Sequence, residues 1–179
     1  MKNFIMFLTL SRIIFGPLIF VLSVFFEMYL VSLTLFVLSA ISDFFDGYLA
    51  RKFNHESSFG KLLDPIADKI LLCSTVKAII LITSDYFIGL IGVLTLIREF
   101  WVSGLREYTA INQIQATSDV SNLAKVKTTL QFIAIGSYFY SFNGGYSLGI
   151  FLSSFIFFLS LLVSLKTSIN YTSNALKSK

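Results

Sequence analysis

The chain has 179 residues, of which 55% are hydrophobic and only 13% are charged, and its mean hydropathy is +0.79. A soluble domain of this size needs more charge to cover its surface, so the composition excludes a soluble globular protein and favours helices in a membrane. The formal net charge is +4, and its basic residues gather at the ends of the membrane segments described below. We therefore attribute this charge to orientation in a membrane and expect no nucleic-acid partner. We expect a single domain over residues 1–179, because no polar stretch is long enough for a second core.

Six apolar segments predict an all-α bundle of six transmembrane helices. In chain order they cover residues 4–26, 28–50, 60–84, 86–108, 122–142 and 147–169. Each is long enough for a helix that crosses a bilayer, which takes about 20 residues. The first segment is too long for the apolar core of a signal peptide and lacks a small-residue cleavage site, so we expect it to be a retained span.

The charges between these segments predict the orientation of the helices. The connectors after the first and third segments carry Glu27 and Asp85, and the connector after the fifth is uncharged. The remaining helix ends are basic, with Lys2, Arg51, Lys52, Lys61, Arg106, Lys125, Lys127, Lys177 and Lys179. Because cytoplasmic helix ends gather Lys and Arg, we expect both termini and the two longer connectors to face the cytoplasm. We expect a bacterial inner membrane, since no Arg-rich and Ser-rich transit peptide precedes the first segment.

Four carboxylates mark the facing ends of the second and third segments. Asp43 and Asp46 are three residues apart, and Asp64 and Asp68 are four apart, so each pair shares one helix face. The short connector makes these helices antiparallel neighbours and places all four carboxylates at a similar depth. Ionised carboxylates so close together repel one another, and hard divalent cations such as Mg²⁺ or Mn²⁺ relieve that repulsion. We therefore predict a metal site, of the paired kind that often serves phosphoryl chemistry.

Two other interpretations of the carboxylates are open from the residues alone. Each aspartate can pair with a neighbouring Lys or Arg, but such pairs leave the small residues Gly47, Ala50 and Gly60 unexplained. Small residues beside a metal let a bulky phosphorylated ligand approach the backbone. An ion-coupled or proton-coupled transporter also uses intramembrane acids. It predicts acids at the middle of the membrane and an inverted repeat, and this sequence shows neither.

The second and third segments contain the pattern Asp46-Gly47-x2-Ala50-Arg51-x8-Gly60-x3-Asp64-x3-Asp68. It resembles the full signature of the CDP-alcohol phosphatidyltransferase family, and Asp43 matches a further acidic position usual there. Seven fixed residues over 23 positions make a highly specific motif. The resemblance implies a six-helix fold, commonly a homodimer among membrane lipids, with a polar cavity that faces the cytoplasm. It also implies a CDP-linked lipid donor and the release of CMP.

The resemblance also implies roles for the residues of the motif. The implied ligands of two metal ions, Mg²⁺ or Mn²⁺, are the four aspartates Asp43, Asp46, Asp64 and Asp68. The residues implied to bind the CDP-linked lipid are small or basic, namely Gly47, Ala50, Arg51 and Gly60. Asp68 is implied in addition to accept the proton of the attacking alcohol, which is the role of a general base.

Basic residues in the fourth and fifth segments bear on the acceptor alcohol. Arg98 lies in the middle of the fourth segment, where a cation without a partner is costly, and Arg106 lies near its end. Lys125 and Lys127 open the fifth segment. These residues suggest an anion site at the cytoplasmic mouth of the bundle. The alternative is that these residues only mark the cytoplasmic side of the membrane, because basic residues are expected at cytoplasmic helix ends in any case.

The Arg-Glu pair at 98–99 and the run Lys-Val-Lys-Thr-Thr at 125–129 resemble the members of this family that use sn-glycerol 3-phosphate. The resemblance implies CDP-diacylglycerol as donor and sn-glycerol 3-phosphate as acceptor. It places the acceptor phosphate on Arg106 and Lys125, with Arg98 as a further candidate. Sister enzymes that accept phosphatidylglycerol, inositol phosphate or serine are the alternatives. The family often has Pro-Asn where this chain has Ile-Met at 5–6, and we assign no role to Thr9 or Arg12 in the first segment.

Overall fold

The computed structural model describes residues 2–53, 58–112 and 122–177, which form six helices and no strand. The helices are α1 (Lys2–Phe25), α2 (Tyr29–Phe53), α3 (Ser58–Thr83), α4 (Tyr86–Ile111), α5 (Asn122–Gly144) and α6 (Ser147–Lys177). The all-α fold class and the number of helices are therefore confirmed. The largest difference from the predicted bounds is at the end of α6, which continues well past residue 169. Hydropathy marks where an apolar segment ends, and the helix continues beyond that point through polar residues.

Within residues 2–53, 58–112 and 122–177, three helices are long and apolar enough to cross a membrane. They contain the spans Met6–Phe25, Tyr86–Ile111 and Ser147–Ala175, and α2 contributes the shorter apolar stretch Tyr29–Asp43. Many large apolar side chains on these helices are exposed, among them Phe7, Ile14, Phe25, Leu148, Phe151 and Ile169. A soluble monomer rarely exposes so much apolar surface, whereas lipid covers it in a membrane. The chain is a multi-pass membrane protein.

Three connectors are tight turns that contain a residue with a left-handed backbone. These residues are Glu27 at φ 53°, Ser84 at φ 49° and Gly145 at φ 66°. Glycine adopts this region without strain, whereas Glu27 and Ser84 do so at some cost. Asp85 then begins α4 as its N-cap, because its carboxylate accepts hydrogen bonds from two backbone amides of the first turn at 2.7 and 3.1 Å. Each turn lets the next helix begin within a few residues.

Contacts within the chain divide it into two compact units. The first comprises Met1–Thr83 and Tyr138–Tyr146, and the second comprises Ser84–Ser137 and Ser147–Lys179. In the first unit α1 packs against both α2 and α3, and in the second α4 packs against α6. The single domain over residues 1–179 stays a prediction.

One buried face of α1 organises the first unit. Its buried residues recur every three or four positions, as expected for one face of a helix: Thr9, Arg12, Gly16, Ile19 and Ser23. At Gly16 the helices approach so closely that an added Cβ atom would lie 3.1 Å from the Cα atom of Leu71 and 3.2 Å from the carbonyl oxygen of Ile70. Small residues permit such close crossings between membrane helices. The crossing fixes α1 against α3 one turn away from Arg12.

Candidate active site

The buried faces of α2 and α3 lead directly to the predicted aspartates. On α2 the buried residues are Ser32, Phe36 and Ser39, and Asp43 continues the same spacing. On α3, Asp64 and Asp68 precede the buried residues Leu71 and Thr75 at the same helical spacing. Since α1 packs against both of these faces, the three carboxylates lie where α1, α2 and α3 meet. The periodicity that buries the apolar residues therefore also gathers the acids.

The guanidinium of Arg12 joins these three carboxylates. Its Nη1 donates hydrogen bonds to Oδ1 of Asp43 and, at 2.5 Å, to Oδ1 of Asp68. Its Nη2 lies 3.4 Å from Oδ1 of Asp64, and the hydroxyl of Thr9 donates to the same oxygen at 2.9 Å. The side chain of Arg12 is 0% exposed, whereas the carboxylate side chains are 45 to 55% exposed. The acidic cluster thus surrounds a fully buried cation, and its carboxylates remain about half exposed.

The remaining residues of the motif belong to the end of α2 and the start of α3. Gly60 is in the first turn of α3 and is partly exposed. Four residues belong to α2 by their backbone, and the structure describes nothing further of them. They are Asp46, Gly47, Ala50 and Arg51. The structure therefore brings Asp43, Asp64 and Asp68 together, and the site roles of all the motif residues stay predictions.

The donor set of the acidic cluster fits a hard divalent cation by its chemistry. Its ligands would be carboxylate oxygens, which Mg²⁺ and Mn²⁺ prefer, and three of these carboxylates, from Asp43, Asp64 and Asp68, contact one guanidinium. Among the described residues, no group of three or more Asp, Glu, His or Cys side chains is arranged to hold a metal ion. The carboxylates of Asp43, Asp64 and Asp68 each contact the guanidinium of Arg12. The donor atoms suit a metal by their chemistry, and Nη1 of Arg12 lies between two of them.

Arg12 and Thr9 have no role predicted from the sequence, yet both contact the acidic cluster. A signal for Arg12 was present in the sequence, because an arginine inside an apolar span needs an anionic or polar partner. The pattern of α1 could not identify that partner. Its identity depends on which neighbouring helices pack against α1, and helix packing is a property of the tertiary structure.

A second cluster of charges lies in the second unit around Glu99. Its Oε1 accepts hydrogen bonds from Nζ of Lys127 and, at 3.0 Å, from Nη1 of Arg98. Arg98 also donates from Nε to the carbonyl oxygen of Ser164 at 2.9 Å and from Nη2 to the hydroxyl of Thr167 at 2.6 Å. Arg98 and Lys127 are buried. Arg98 therefore ties α4 to α6, and Glu99 holds both buried cations.

The two residues predicted to bind the acceptor phosphate lie on the outside of this unit. Arg106 and Lys125 are both exposed. The guanidinium of Arg106 lies 5.4 Å from the centroid of the Tyr171 ring, and Arg106 interacts electrostatically with Arg98 and Lys127. Within the described residues, neither Arg106 nor Lys125 has a carboxylate partner. Their positive charge is thus available to an anion, and their role in binding phosphate stays a prediction.

These features define a class of protein, namely a multi-pass helical membrane protein with an open acidic cluster on adjacent helices and exposed basic residues in a second unit. A family model described as CDP-alcohol phosphatidyltransferase matches residues 3–166. The chain belongs to the CDP-alcohol phosphatidyltransferase family, as its motif predicts.

Several curated relatives named CDP-diacylglycerol–glycerol-3-phosphate 3-phosphatidyltransferase are similar to the chain. The protein of Rickettsia typhi is 46% identical over 138 residues, which is 75% of this chain and 75% of the relative. The protein of Rickettsia felis is 45% identical over 137 residues, or 75% of this chain and 73% of the relative. The protein of Wigglesworthia glossinidia brevipalpis is 36% identical over 165 residues, or 87% of this chain and 88% of the relative.

Proposed function

We propose that the chain transfers the phosphatidyl group of CDP-diacylglycerol to sn-glycerol 3-phosphate, a step of phospholipid biosynthesis that gives phosphatidylglycerophosphate and CMP. One observation carries this proposal: relatives named for this reaction are 36 to 46% identical over 75 to 87% of the chain. In such a reaction the carboxylates of the acidic cluster would bind metal ions at the donor, and the exposed basic residues would bind the phosphate of the acceptor.

The acidic cluster is the proposed metal and donor site. Four aspartates, Asp43, Asp46, Asp64 and Asp68, would hold two Mg²⁺ or Mn²⁺ ions. When bound, these ions neutralise the pyrophosphate of the donor and the charge on the departing CMP. The residues beside the nucleotide are Gly47, Ala50, Gly60 and Arg51. The first three leave space for the ligand, and Arg51 meets its phosphate charge.

Asp68 is the proposed general base. A hydroxyl oxygen of the acceptor forms a bond to the phosphorus of the phosphatidyl group, while the bond from that phosphorus to the CMP oxygen breaks. The hydroxyl proton passes to Asp68. Its side chain is 55% exposed. The carboxylate is therefore open to a substrate.

The acceptor phosphate binds Arg106 and Lys125 in this proposal. Both side chains are exposed and carry cationic charge without a carboxylate partner in the described parts of the chain. Arg98 stays a further candidate, but its three guanidinium nitrogens already donate to Ser164, Thr167 and Glu99. To contact the phosphate, Arg98 must exchange one of these hydrogen bonds. Arg106 needs no such exchange.

The proposed location is the bacterial inner membrane, with both termini and the active site on the cytoplasmic side. The arrangement of Lys and Arg at the helix ends supports this orientation. The proposed partners, besides the two substrates, are membrane lipids and a second copy of the chain. The homodimer is an expectation from the family, and the mass of the purified protein in detergent tests it.

A turnover assay tests the proposed function. Purified protein is supplied with CDP-diacylglycerol and one alcohol at a time, namely sn-glycerol 3-phosphate, phosphatidylglycerol, inositol phosphate or serine, with Mg²⁺ or with EDTA. We expect release of CMP with glycerol 3-phosphate and Mg²⁺ only. Release with another alcohol alone would identify a sister enzyme. Release that persists in EDTA would refute the role of the metal.

A further inference from the structure

The guanidinium of Arg12 contacts carboxylates that are proposed to bind the metal ions. It contacts Oδ1 of Asp43, of Asp64 and of Asp68, which are three of the proposed ligands. A guanidinium and a divalent cation both carry positive charge, so they repel each other when both are placed at the same carboxylates. The two cations therefore compete for these carboxylates.

We infer that Arg12 is a positioning residue with two alternative placements. In the protein without metal it holds the three carboxylates together, and binding of the divalent cations moves its guanidinium away from them. The inference rests on the proposed metal-dependent function. It goes beyond that function because it makes Arg12 a competitor of the metal ions. It also makes Arg12 the cation that holds the three carboxylates together before the metal binds.

The surroundings of Arg12 support the first placement. Its side chain is 0% exposed, and a cation inside a membrane bundle is stable only beside anionic or polar partners. The close crossing at Gly16 holds α1 against α3 one turn away. Thr9, on the preceding turn of α1, donates to Asp64 at 2.9 Å. Both anchors fix the backbone of α1, so the guanidinium is delivered to the carboxylates by a rigid helix.

The second placement follows from the openness of the cluster. The carboxylate side chains are about half exposed, so a cation has access to them from outside. Once displaced, a cation inside the bundle requires a new anionic partner. The pyrophosphate of the donor supplies such an anion. Arg12 therefore couples the binding of metal to the binding of the donor, and the two ligands should bind more tightly together than apart.

A direct test compares the binding of Mn²⁺ to the full-length protein in detergent, measured from the EPR signal of free Mn²⁺. The informative variant is Arg12→Met, which removes the charge and keeps a long side chain. Its matched control is Lys77→Met, because Lys77 is a cation of the same unit that is exposed and lies 5.4 Å from the centroid of the Phe20 ring rather than on a carboxylate. We expect Arg12→Met to bind Mn²⁺ at least tenfold more tightly than the wild type, and Lys77→Met to bind as the wild type does.

The outcomes separate this inference from the proposed function. Unchanged or weaker Mn²⁺ binding in Arg12→Met overturns the inference, because a residue that only braces the ligands would aid metal binding. Absence of Mn²⁺ binding to the wild type overturns the metal-dependent function itself. Without metal, Arg12→Met should also unfold at a lower temperature than the wild type, and saturating Mn²⁺ should reduce this difference.

A second measurement uses only the wild-type protein and is informative even if Arg12→Met does not fold. Phenylglyoxal modifies accessible arginines, and mass spectrometry reports the extent of modification at each one. We expect Mn²⁺ together with CMP to leave Arg12 protected, and Mn²⁺ alone to increase its modification severalfold over the metal-free protein. Arg98, whose partners are in the second unit, should react equally in all three conditions. Equal modification of Arg12 with and without Mn²⁺ contradicts the displacement.

Discussion

The acidic cluster of the first unit and the cluster around Glu99 in the second differ in the groups that surround their central charge. In the first, the guanidinium of Arg12 contacts three carboxylates, from Asp43, Asp64 and Asp68. In the second, the single carboxylate of Glu99 serves two buried cations. Unbalanced charge is costly inside a membrane protein and marks a functional site by default. The first cluster thus offers partly exposed carboxylates to a cationic ligand, whereas the two buried cations of the second are already held by Glu99.

The two clusters also differ in how their arginines are used. Arg12 faces carboxylates that are about half exposed, so its partners can be taken over by a ligand. Arg98 donates to a carbonyl, a hydroxyl and a carboxylate inside its own unit, and two of these partners are on α6. A buried arginine with a full set of fixed partners holds helices together. A buried arginine whose partners are open to solvent can give way to a ligand.

The largest expected effect is from Asp68→Asn, which removes the proposed base from the acidic cluster. We expect turnover to fall by about a thousandfold, equivalent to about 4 kcal/mol, because proton removal by a side chain contributes about that much. Binding of CDP-diacylglycerol should persist, since asparagine keeps the size of the side chain and one oxygen. CMP release and equilibrium binding of the donor measure the two effects. The matched control is Asp85→Asn at the N-cap of α4, and near-normal turnover in Asp68→Asn would exclude Asp68 as the base.

The next effect concerns the helix crossing that positions Arg12. Gly16→Leu should destabilise the protein by about 3 kcal/mol, because an overpacked contact forces the backbones apart where an added Cβ lies 3.1 Å from the Cα atom of Leu71. Gly104→Leu is the matched control, since the Cβ that it adds has no atom within 4 Å apart from its own chain neighbours and helix backbone. Thermal unfolding in detergent measures both. Equal unfolding temperatures for the two variants would mean that the crossing does not constrain α1.

A smaller loss of stability tests the contrast between the two arginines of the second unit. Arg98→Met removes hydrogen bonds that join α4 to α6 and should cost about 2 kcal/mol, as charge-assisted hydrogen bonds do. Arg106→Met removes an exposed cation that contacts the Tyr171 ring and should cost about 0.5 kcal/mol. Chemical or thermal unfolding of both variants makes the comparison. The reverse order of stabilities would contradict the structural role of Arg98.

The smallest expected effect is on binding of the acceptor. Arg106→Ala should raise the KM for glycerol 3-phosphate about tenfold, equivalent to about 1.4 kcal/mol, and leave the KM for CDP-diacylglycerol unchanged. Lys166→Ala is the control, because Lys166 is an exposed cation on α6 of the same unit. Steady-state kinetics with each substrate varied in turn separates the two constants. An unchanged KM for the acceptor would move its phosphate to another site.

Much of this fold was predictable because helices and membranes impose simple patterns. Apolar stretches of bilayer length gave six helices, and the spacing of Asp64 and Asp68 placed both acids on one face of α3. The end of α6 was not predictable, because its last turns are helical without being apolar. The partners of Arg12 and the position of Lys77 over the Phe20 ring were not predictable either. Both depend on which helices are neighbours, and α1 carries no local signal of that.

The central claim is that the carboxylates on α2 and α3 hold the divalent cations needed for turnover. The most direct test counts Mn²⁺ bound to each chain by EPR, in the wild type, in Asp64→Asn and in the control Asp85→Asn. The account predicts two ions for each chain of the wild type and of Asp85→Asn, and fewer in Asp64→Asn with a parallel loss of CMP release. Equal numbers of bound ions in Asp64→Asn and the wild type would contradict it.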